Sequence, residues 1–420
     1  MRKIFIVIIA LSTALVLIVA EAAFNRKHPV VVNSVALATD CYMQRADDRT
    51  IDLGNLCSQA QTNATPNKAR PFLVNDQVVS DPSVSLPDPE FDQVGFRMTW
   101  QDKNNQLWVA SVDPATGNFI PTTGQGQLLD TNLVAITTMK NGPEWAYSKQ
   151  GSQIVYTKLV NDRPTLSRAR WTGTRWETRT LQKGSDRYGP LGSQNPRDAT
   201  PRVVYKKIQG KTNLLTWREI DNPASEALVP GALEFPSGRW VEGERSLMVR
   251  IKVRGVRQCA KYDVDTGTMT QLTFDASDKL DAFMWRAPEF NNELVFFCVS
   301  DKTRIPVYRQ IGRRWTKIHT IRPPSRRSFV KSPEPFVYNG KSYVSLVTLD
   351  DLDEKGSSEV WIAGIDPTVS FYRQVSASTA MTRKDPESFI TAKGAFIYYA
   401  ERKSDVTIIH RCDTGLGSPR

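Results

Sequence analysis

Five glutamates of this 420-residue chain directly follow a proline and introduce an apolar or aromatic run. They are Glu90, Glu144, Glu289, Glu334 and Glu387. A phrase that recurs at a period of roughly fifty residues is typical of stacked supersecondary units. We therefore predict that these carboxylates occupy equivalent positions and approach one end of a central channel together.

Converging carboxylates are the groups that glycoside hydrolysis uses, since that reaction needs one protonated and one ionised carboxyl. The candidates are Glu334 as the acid and Asp88 as the base, with Asp198 or Asp385 assisting. The alternative is that each Glu accepts hydrogen bonds from the backbone between repeats. Five copies of one residue favour this structural role. On that interpretation Glu289→Gln and Glu334→Gln should each destabilise the protein by about 1–3 kcal/mol.

Basic and aromatic side chains alternate in two further stretches, which include Arg170, Trp171 and Trp176 in one and Trp315 in the other. Such surfaces can hold anionic glycans, because arginine pairs with the anion and the ring stacks on the sugar. The other interpretation is an ordinary solvated sheet edge, where basic residues discourage edge-to-edge pairing. The sequence leaves both interpretations open.

The residues for metal and nucleophile chemistry are scarce. The chain has three histidines and contains no H-E-x-x-H, paired C-x-x-C or G-x-S-x-G motif, so zinc-protease and esterase mechanisms lack their residues. The acidic turn at 350–354 offers oxygen ligands for calcium, but its spacing does not match an EF-hand loop. We predict no cofactor, with calcium at this turn as the open alternative.

The elements that would position these groups are short strands separated by turn residues, with no helical period after the amino-terminal segment. Most repeats hold four strands, whereas the last holds three before the chain ends. Radial arrays of four-stranded sheets close on themselves to remove sheet edges, so the missing strand should come from the amino-terminal end. The prediction is an all-β propeller of about seven four-stranded blades, with six as the rival number.

About four of the repeats resemble those of TolB-like β-propeller proteins. The resemblance rests on P-E-W-A-Y-S at 143–148 and Y-D-V-D-T-G-T at 262–268. A second resemblance, to β-propeller glycosidases of the arabinanase and furanosidase kind, rests on 334–344 and on D-P-E at 385–387. It implies that a Glu at such a step is the general acid and that an Asp-Pro supplies the base.

The amino-terminal segment indicates export, and export permits disulfides. Residues 1–23 are typical of a signal peptide, with an uncleaved membrane anchor as the alternative. The rest of the predicted organisation is a segment at 24–87 with a closing strand, a propeller at 88–412 and a tail at 413–420.

Cys41 and Cys57 lie close in sequence, and we predict that they form a disulfide, which stabilises the protein by about 3 kcal/mol in the chain-entropy model. We expect Cys259, Cys298 and Cys412 to be buried thiols.

The formal net charge of +11 on an exported chain favours anionic envelope polymers over nucleic acid. We therefore predict a monomeric, periplasmic or extracellular, non-catalytic β-propeller that binds a protein or an anionic envelope glycan. The alternative is a glycoside-active enzyme that uses the channel carboxylates.

Overall fold

The computed structural model describes residues 5–11, 14–20, 42–44, 50–52, 75–79, 89–120, 126–136, 141–232, 238–324, 327–352, 356–369, 371–377, 381–391, 394–403 and 406–416. The chain divides into two units, Met1–Leu73 and Val74–Arg420. In the first unit, β1 (Phe5–Leu11) pairs with β2 (Ala14–Ala20), and β3 (Tyr42–Gln44) pairs with β4 (Thr50–Asp52).

The β1–β2 hairpin falls within the predicted signal peptide. Within the described ranges, no helix is both long and apolar enough to cross a membrane. Cys41 and Cys57 lie outside the described residues, so their pairing stays a prediction.

The second unit is a seven-bladed β-propeller, which confirms the all-β prediction and decides the number of blades. Each blade is an antiparallel sheet whose first strand lines the central channel. Blade 1 consists of β6 (Glu90–Asp92), β7 (Arg97–Gln101), β8 (Leu107–Val112), β9 (Phe119–Ile120) and β10 (Gln127–Asp130). Blade 2 consists of β11 (Glu144–Ser148), β12 (Gly151–Val160), β13 (Arg163–Trp171) and β14 (Trp176–Ser185). Blade 3 consists of β15 (Arg187–Gly192), β16 (Arg202–Gln209), β17 (Thr212–Glu219) and β18 (Asn222–Leu228).

Blades 4 to 7 continue the same order. Blade 4 consists of β19 (Arg239–Trp240), β20 (Ser246–Val253), β21 (Val256–Asp263) and β22 (Met269–Gln271), and blade 5 of β23 (Lys279–Ala287), β24 (Glu293–Ser300), β25 (Ile305–Ile311) and β26 (Arg314–Ile321). Blade 6 consists of β27 (Phe329–Tyr338), β28 (Lys341–Leu349), β29 (Ser358–Gly364) and β30 (Tyr372–Gln374). Blade 7 consists of β31 (Thr382–Thr391), β32 (Gly394–Lys403) and β33 (Val406–Asp413), together with β5 (Asn75–Val78).

The ring closes in the predicted way. The final blade takes its fourth strand from the amino-terminal side, because β5 pairs with β33 in the register His410↔Val78 to Asp413↔Asn75. The amide of Val79 extends this pairing by donating to the Ile409 carbonyl at 2.9 Å. This pairing covers the edge that three strands would leave exposed.

The core lies between the blades. Seven clusters of buried apolar side chains each combine residues of two neighbouring blades. Between blades 5 and 6, for example, Val295 and Phe297 pack with Val344 and Leu346. The second strand of each blade is buried on both faces, so its residues form a near-continuous apolar run. This explains why the repeats are easiest to recognise in the sequence at their second strands.

The expectation of buried thiols is wrong for two of the cysteines. Cys259 on β21 and Cys298 on β24 form a disulfide that joins blades 4 and 5, with their Cα atoms 6.9 Å apart. Cys412 is a buried thiol, as expected. The two bonded cysteines are 39 residues apart in sequence, so only the stacking of their blades brings them together.

Candidate functional site: the channel ring

Four of the five predicted glutamates lie on the first strands of blades 1, 2, 6 and 7. We call Glu90, Glu144, Glu334 and Glu387, together with Arg239 of blade 4, the channel ring. A side-chain hydrogen bond fixes the neighbouring first strands of blades 1 and 2, since Trp145 Nε1 donates to the Glu90 carbonyl at 2.9 Å. Trp240 Nε1 donates in the same way to the carbonyl of Leu191, at 3.1 Å. Arg239 and Leu191 therefore hold the positions in blades 4 and 3 that Glu144 and Glu90 hold in blades 2 and 1.

The proline before each ring glutamate suits a strand that faces the channel. Proline has no amide hydrogen, so it is tolerated where a strand edge has no partner. In blades 6 and 7 the register shifts immediately before Glu334 and Glu387. Ser332 and Asp385 lie in these bulges with φ values of 45° and 49°. A bulge bends the strand and redirects the side chain that follows it.

Arg239 is the cation of the ring. One of its Nη atoms lies 3.5 Å from a carboxylate oxygen of Glu334, which means that it reaches from blade 4 past blade 5 to blade 6. The ring of Phe283, on the intervening blade, lies 4.8 Å from the guanidinium. Burial alone would lower the pKa of Arg239, but the carboxylates of Glu334, Glu144, Glu90 and Glu387 outweigh burial and raise that pKa.

One guanidinium does not compensate all four carboxylates. Burial is the main cause that raises the pKa of Glu334 to about 8, with Glu144, Asp281 and Asp385 adding to the effect and Arg239 opposing it. Burial, and next the charge of Glu334, also raise the pKa of Glu387 well above its ordinary value. The pKa of Glu144 is raised by burial, against Arg239 and a hydrogen bond with Asn141. The ring therefore holds protons at neutral pH.

Glu289 does not belong to this ring, so the predicted equivalence of all five glutamates is wrong. It lies in the 3₁₀ turn Pro288–Phe290, which follows the first strand of blade 5 and precedes the second. One of its carboxylate oxygens accepts from the amide of Ser342 at 2.8 Å, and the other accepts from Ser342 Oγ at 2.9 Å. This is the backbone-capping role that the structural alternative described, made between blades 5 and 6.

The other catalytic candidates separate. Asp385 affects the pKa of both Glu334 and Glu387, so it lies near the ring. Asp198 does not, because it lies in the turn between β15 and β16 and pairs with the fully buried Arg202. The strand pattern of the sequence predicts the first strand of blade 3 at 198–201, but the structure places that strand at Arg187–Gly192. Asp88 lies outside the described residues.

The predicted basic and aromatic surface is largely covered. Trp176 is half-buried, with Arg97 at 5.0 Å from its ring and Trp145 at 6.3 Å. Trp315 packs edge-on against Phe296 at 4.8 Å. Trp171 is 41% exposed and is the one clearly accessible ring among the three predicted. Arg170 is half-buried on β13 next to Trp171.

The acidic turn is only partly described. Asp350 accepts from Arg327 at 2.5 Å, whereas Asp353 and Glu354 lie outside the described residues. Within the described ranges, no group of three or more His, Cys, Asp or Glu side chains is arranged to hold a metal ion. Calcium at this turn remains an untested alternative.

Sequence reasoning missed Arg239, the residue on which the ring is centred. The signal was present, because Arg239-Trp240 repeats the pattern of Glu144-Trp145 with the charge reversed. A search for a recurring Pro-Glu step finds neither Arg239 nor the apolar Leu191.

No protein-family model and no curated protein matches the chain. Among solved structures it is similar to the β-propeller domain of Cps50 (Swd1) from Myceliophteria thermophila, with a TM-score of 0.50, 10% identity and coverage of 80% of this chain and 98% of that one. It is also similar to an oligogalacturonate lyase from Vibrio parahaemolyticus (0.49, 10%, 80% and 93%) and to TolB from Acinetobacter baumannii (0.38, 12%, 78% and 79%). TolB proteins are thus among the propellers that it resembles, and at these identities the likeness shows the fold alone.

Proposed function

We propose that this protein is an exported, non-catalytic β-propeller that binds a protein partner. The observation that carries the proposal is the composition of the channel ring. Its carboxyls are compensated within the protein, by Arg239 in contact with Glu334 and by the protons that burial retains. A glycosidase instead needs an ionised carboxylate and a protonated one that face an accessible substrate.

A protein partner fits better than an anionic glycan. The cation of the ring, Arg239, already contacts Glu334, so the ring offers no unpaired cation to an anionic polymer. Of the three tryptophans predicted to stack on a sugar, only Trp171 is exposed, because Trp176 and Trp315 pack against side chains of the propeller. Propellers also present many loops at each end, and loops held by a rigid scaffold are common binding surfaces.

Export is supported by two independent features. The chain begins with a basic residue pair and a long apolar run, as secretory signals do. The disulfide between Cys259 and Cys298 lies in the core between two blades, and disulfides persist mainly in oxidising compartments.

One observation favours the glycoside-active alternative. The pKa of Glu334 is raised to about 8, and a general acid needs a raised pKa in order to remain protonated at neutral pH. A raised pKa alone is insufficient for catalysis, because a glycosidase also needs an ionised carboxylate that faces the substrate, but it makes Glu334 the residue on which the alternative should be tested.

The test combines an activity assay with crosslinking. Wild type and Glu334→Gln are incubated with arabinan, a fructan and oligogalacturonides. In the host cell, a photoreactive side chain replaces Ala276, Gly312 or Arg179 in turn, which samples the two ends and the outer edge of the propeller. We expect no turnover by either protein and protein adducts from at least one end. Turnover by wild type that Glu334→Gln lacks, or adducts with polysaccharide alone, would overturn the proposal.

A further inference from the structure

Phe274 is the most exposed of the large apolar side chains described, with 78% of its surface accessible. It lies in the loop that leads from β22 to β23, and hence from blade 4 to blade 5. Because each blade is an antiparallel sheet, this loop lies at the same end of the propeller as the β20–β21 and β24–β25 turns. A single exposed apolar residue is ordinary on a protein surface, so the argument depends on what surrounds it.

The backbone on both sides of Phe274 is fixed. Thr273 is only 2% exposed, and its Oγ1 donates to Gln258 Oε1 at 2.7 Å. The carbonyl of Asp275 accepts from Gln258 Nε2 at 2.8 Å, and its carboxylate accepts from the buried Lys279 at 2.5 Å. The ring is therefore held out from the surface by anchored neighbours. An anchor that is already in place loses less conformational entropy when a partner binds.

A pocket of about 420 Å³ opens beside this loop. It lies between the loop, the β20–β21 turn of blade 4 and the β24–β25 turn of blade 5. Its volume falls within the range of about 300–1,000 Å³ that ligand pockets occupy. The lining residues are Lys252, Gly255, Val256, Arg257, Ala276, Asp278 and Asp301.

The charges around the pocket are unbalanced. Asp278 is engaged by Arg257, whose Nε lies 2.7 Å from its carboxylate, and Asp301 accepts from the amide of Asp278 at 2.8 Å. The exposed cation Lys252 lies near the end of β20, and Arg254 and Lys302 lie on the two flanking turns. In the described part of the chain, the side chains of these three residues make no ion pair or hydrogen bond. The acidic groups are occupied and the cations are available, so the surface is complementary to an acidic partner.

We propose that this surface docks an acidic segment of a partner protein that carries an apolar side chain. We call it the Phe274 face and define it by Phe274, Lys252, Arg254, Lys302 and the pocket between them. The apolar side chain packs against Phe274 at the mouth of the pocket, and the flanking carboxylates pair with the three cations. The inference rests on the proposed function, because it names the chemistry of the partner and the place where it binds.

The test measures the binding of fluorescent decapeptides to the full chain. One panel carries a single leucine or phenylalanine flanked by aspartate and glutamate, and matched panels carry serine or lysine flanks. We expect the acidic panel to bind at least about tenfold more tightly than the serine panel, and to weaken as salt rises. Phe274→Ala and Lys252→Glu should each weaken binding by about tenfold or more.

The controls lie at the other end of blade 5. Ile311→Ala removes an apolar side chain that is 50% exposed, and Arg313→Glu reverses an exposed charge. Neither should change peptide binding. Equal binding of acidic and lysine panels, or full binding by Phe274→Ala, would overturn the inference. If protein adducts form only at position 312 or 179, the inference fails while the proposed function stands; polysaccharide turnover removes both.

Discussion

Glu289 and Glu334 are each the glutamate of a Pro-Glu step in the sequence, yet their roles in the folded protein differ. The carboxylate of Glu289 accepts two hydrogen bonds from Ser342, one on each oxygen. The carboxyl of Glu334 lies in the channel, a fifth of its side chain exposed, with Arg239 on one side and further carboxyls nearby. A shared local sequence therefore does not fix the electrostatic role of a residue. The neighbours that the tertiary fold supplies decide it.

Among the variants that lose stability, Arg239→Gln should show the largest decrease in the free energy of unfolding. It leaves the ring carboxyls without their cation, and removal of one partner of a buried pair costs 3–5 kcal/mol in typical cases. Because the Arg239 side chain is 38% exposed, we expect a loss of about 2–3 kcal/mol at pH 8 and a smaller loss at pH 5, where Glu334 is protonated. Urea unfolding at the two pH values measures the difference.

Arg309→Gln is the matched control for that variant. Arg309 also pairs with one carboxylate, Glu293 at 2.5 Å, and also lies over a phenylalanine, Phe290 at 4.5 Å, but it is not in the channel. The Arg309→Gln variant should lose about 1 kcal/mol or less, as is typical of partly exposed ion pairs. An equal loss from Arg239→Gln and Arg309→Gln would show that the ring has no special electrostatic coupling.

Glu289→Gln should have the second largest effect. Gln retains one acceptor oxygen but presents an amide nitrogen, which cannot accept from Ser342, and the loss of a charged hydrogen bond costs about 1–3 kcal/mol. A double-mutant cycle with Ser342→Ala measures the coupling, and additive losses would contradict the contact.

Glu334→Gln should differ from the other two variants in sign. At pH 8 we expect a gain of up to about 3 kcal/mol, because a neutral side chain replaces a carboxyl whose ionisation the channel disfavours, and each unit of pKa corresponds to about 1.4 kcal/mol. At pH 5 the carboxyl is already neutral, so the two proteins should be equally stable. This replaces the expectation from sequence that Glu289 and Glu334 respond alike; a loss at Glu334 equal to that at Glu289 would restore that expectation.

The architecture could be predicted from sequence because strands, turns and the Pro-Glu step repeat along the chain. Such patterns lie within single blades, so they can be recognised without knowing which blades are in contact. The shortage of strands in the last unit indicated that an amino-terminal strand, β5, closes the ring. The composition of the ring could not be predicted in full. Arg239 reaches Glu334 across an intervening blade, and no local pattern records a contact that joins residues 95 positions apart (334 minus 239).

The errors at Glu289 and Asp198 share one cause. Both residues lie in turns between the first and second strands of their blades, where a short polar phrase resembles the start of a first strand. The true first strands, Lys279–Ala287 and Arg187–Gly192, contain no Pro-Glu step. In blade 3 the equivalent step reads Gly189-Pro190-Leu191, so the proline persists but the carboxylate does not.

The dependence of stability on pH follows from the same groups. Glu334 has an ordinary pKa of 4.5 and a folded pKa of about 8, so in this interval the folded chain holds the proton that the unfolded chain has released. Stability therefore falls as the pH rises from 4.5 to 8. For Glu226, burial is outweighed by hydrogen bonds from Arg187, Lys207 and Tyr205, which lower its pKa to about 2, so stability also falls as the pH decreases from 4.5 to 2. The melting temperature measured by thermal unfolding should be highest at about pH 5.

The most direct test of the channel ring is a titration of the glutamate carboxyls by ¹³C NMR, in wild type and in Glu334→Gln. We predict a carboxyl transition in wild type with an apparent pKa of about 8, which the substitution removes. The remaining ring carboxyls should then titrate at lower pH, because the groups are coupled. Titration of every glutamate below about pH 5, as for exposed carboxyls, would contradict the account of a buried ring centred on Arg239.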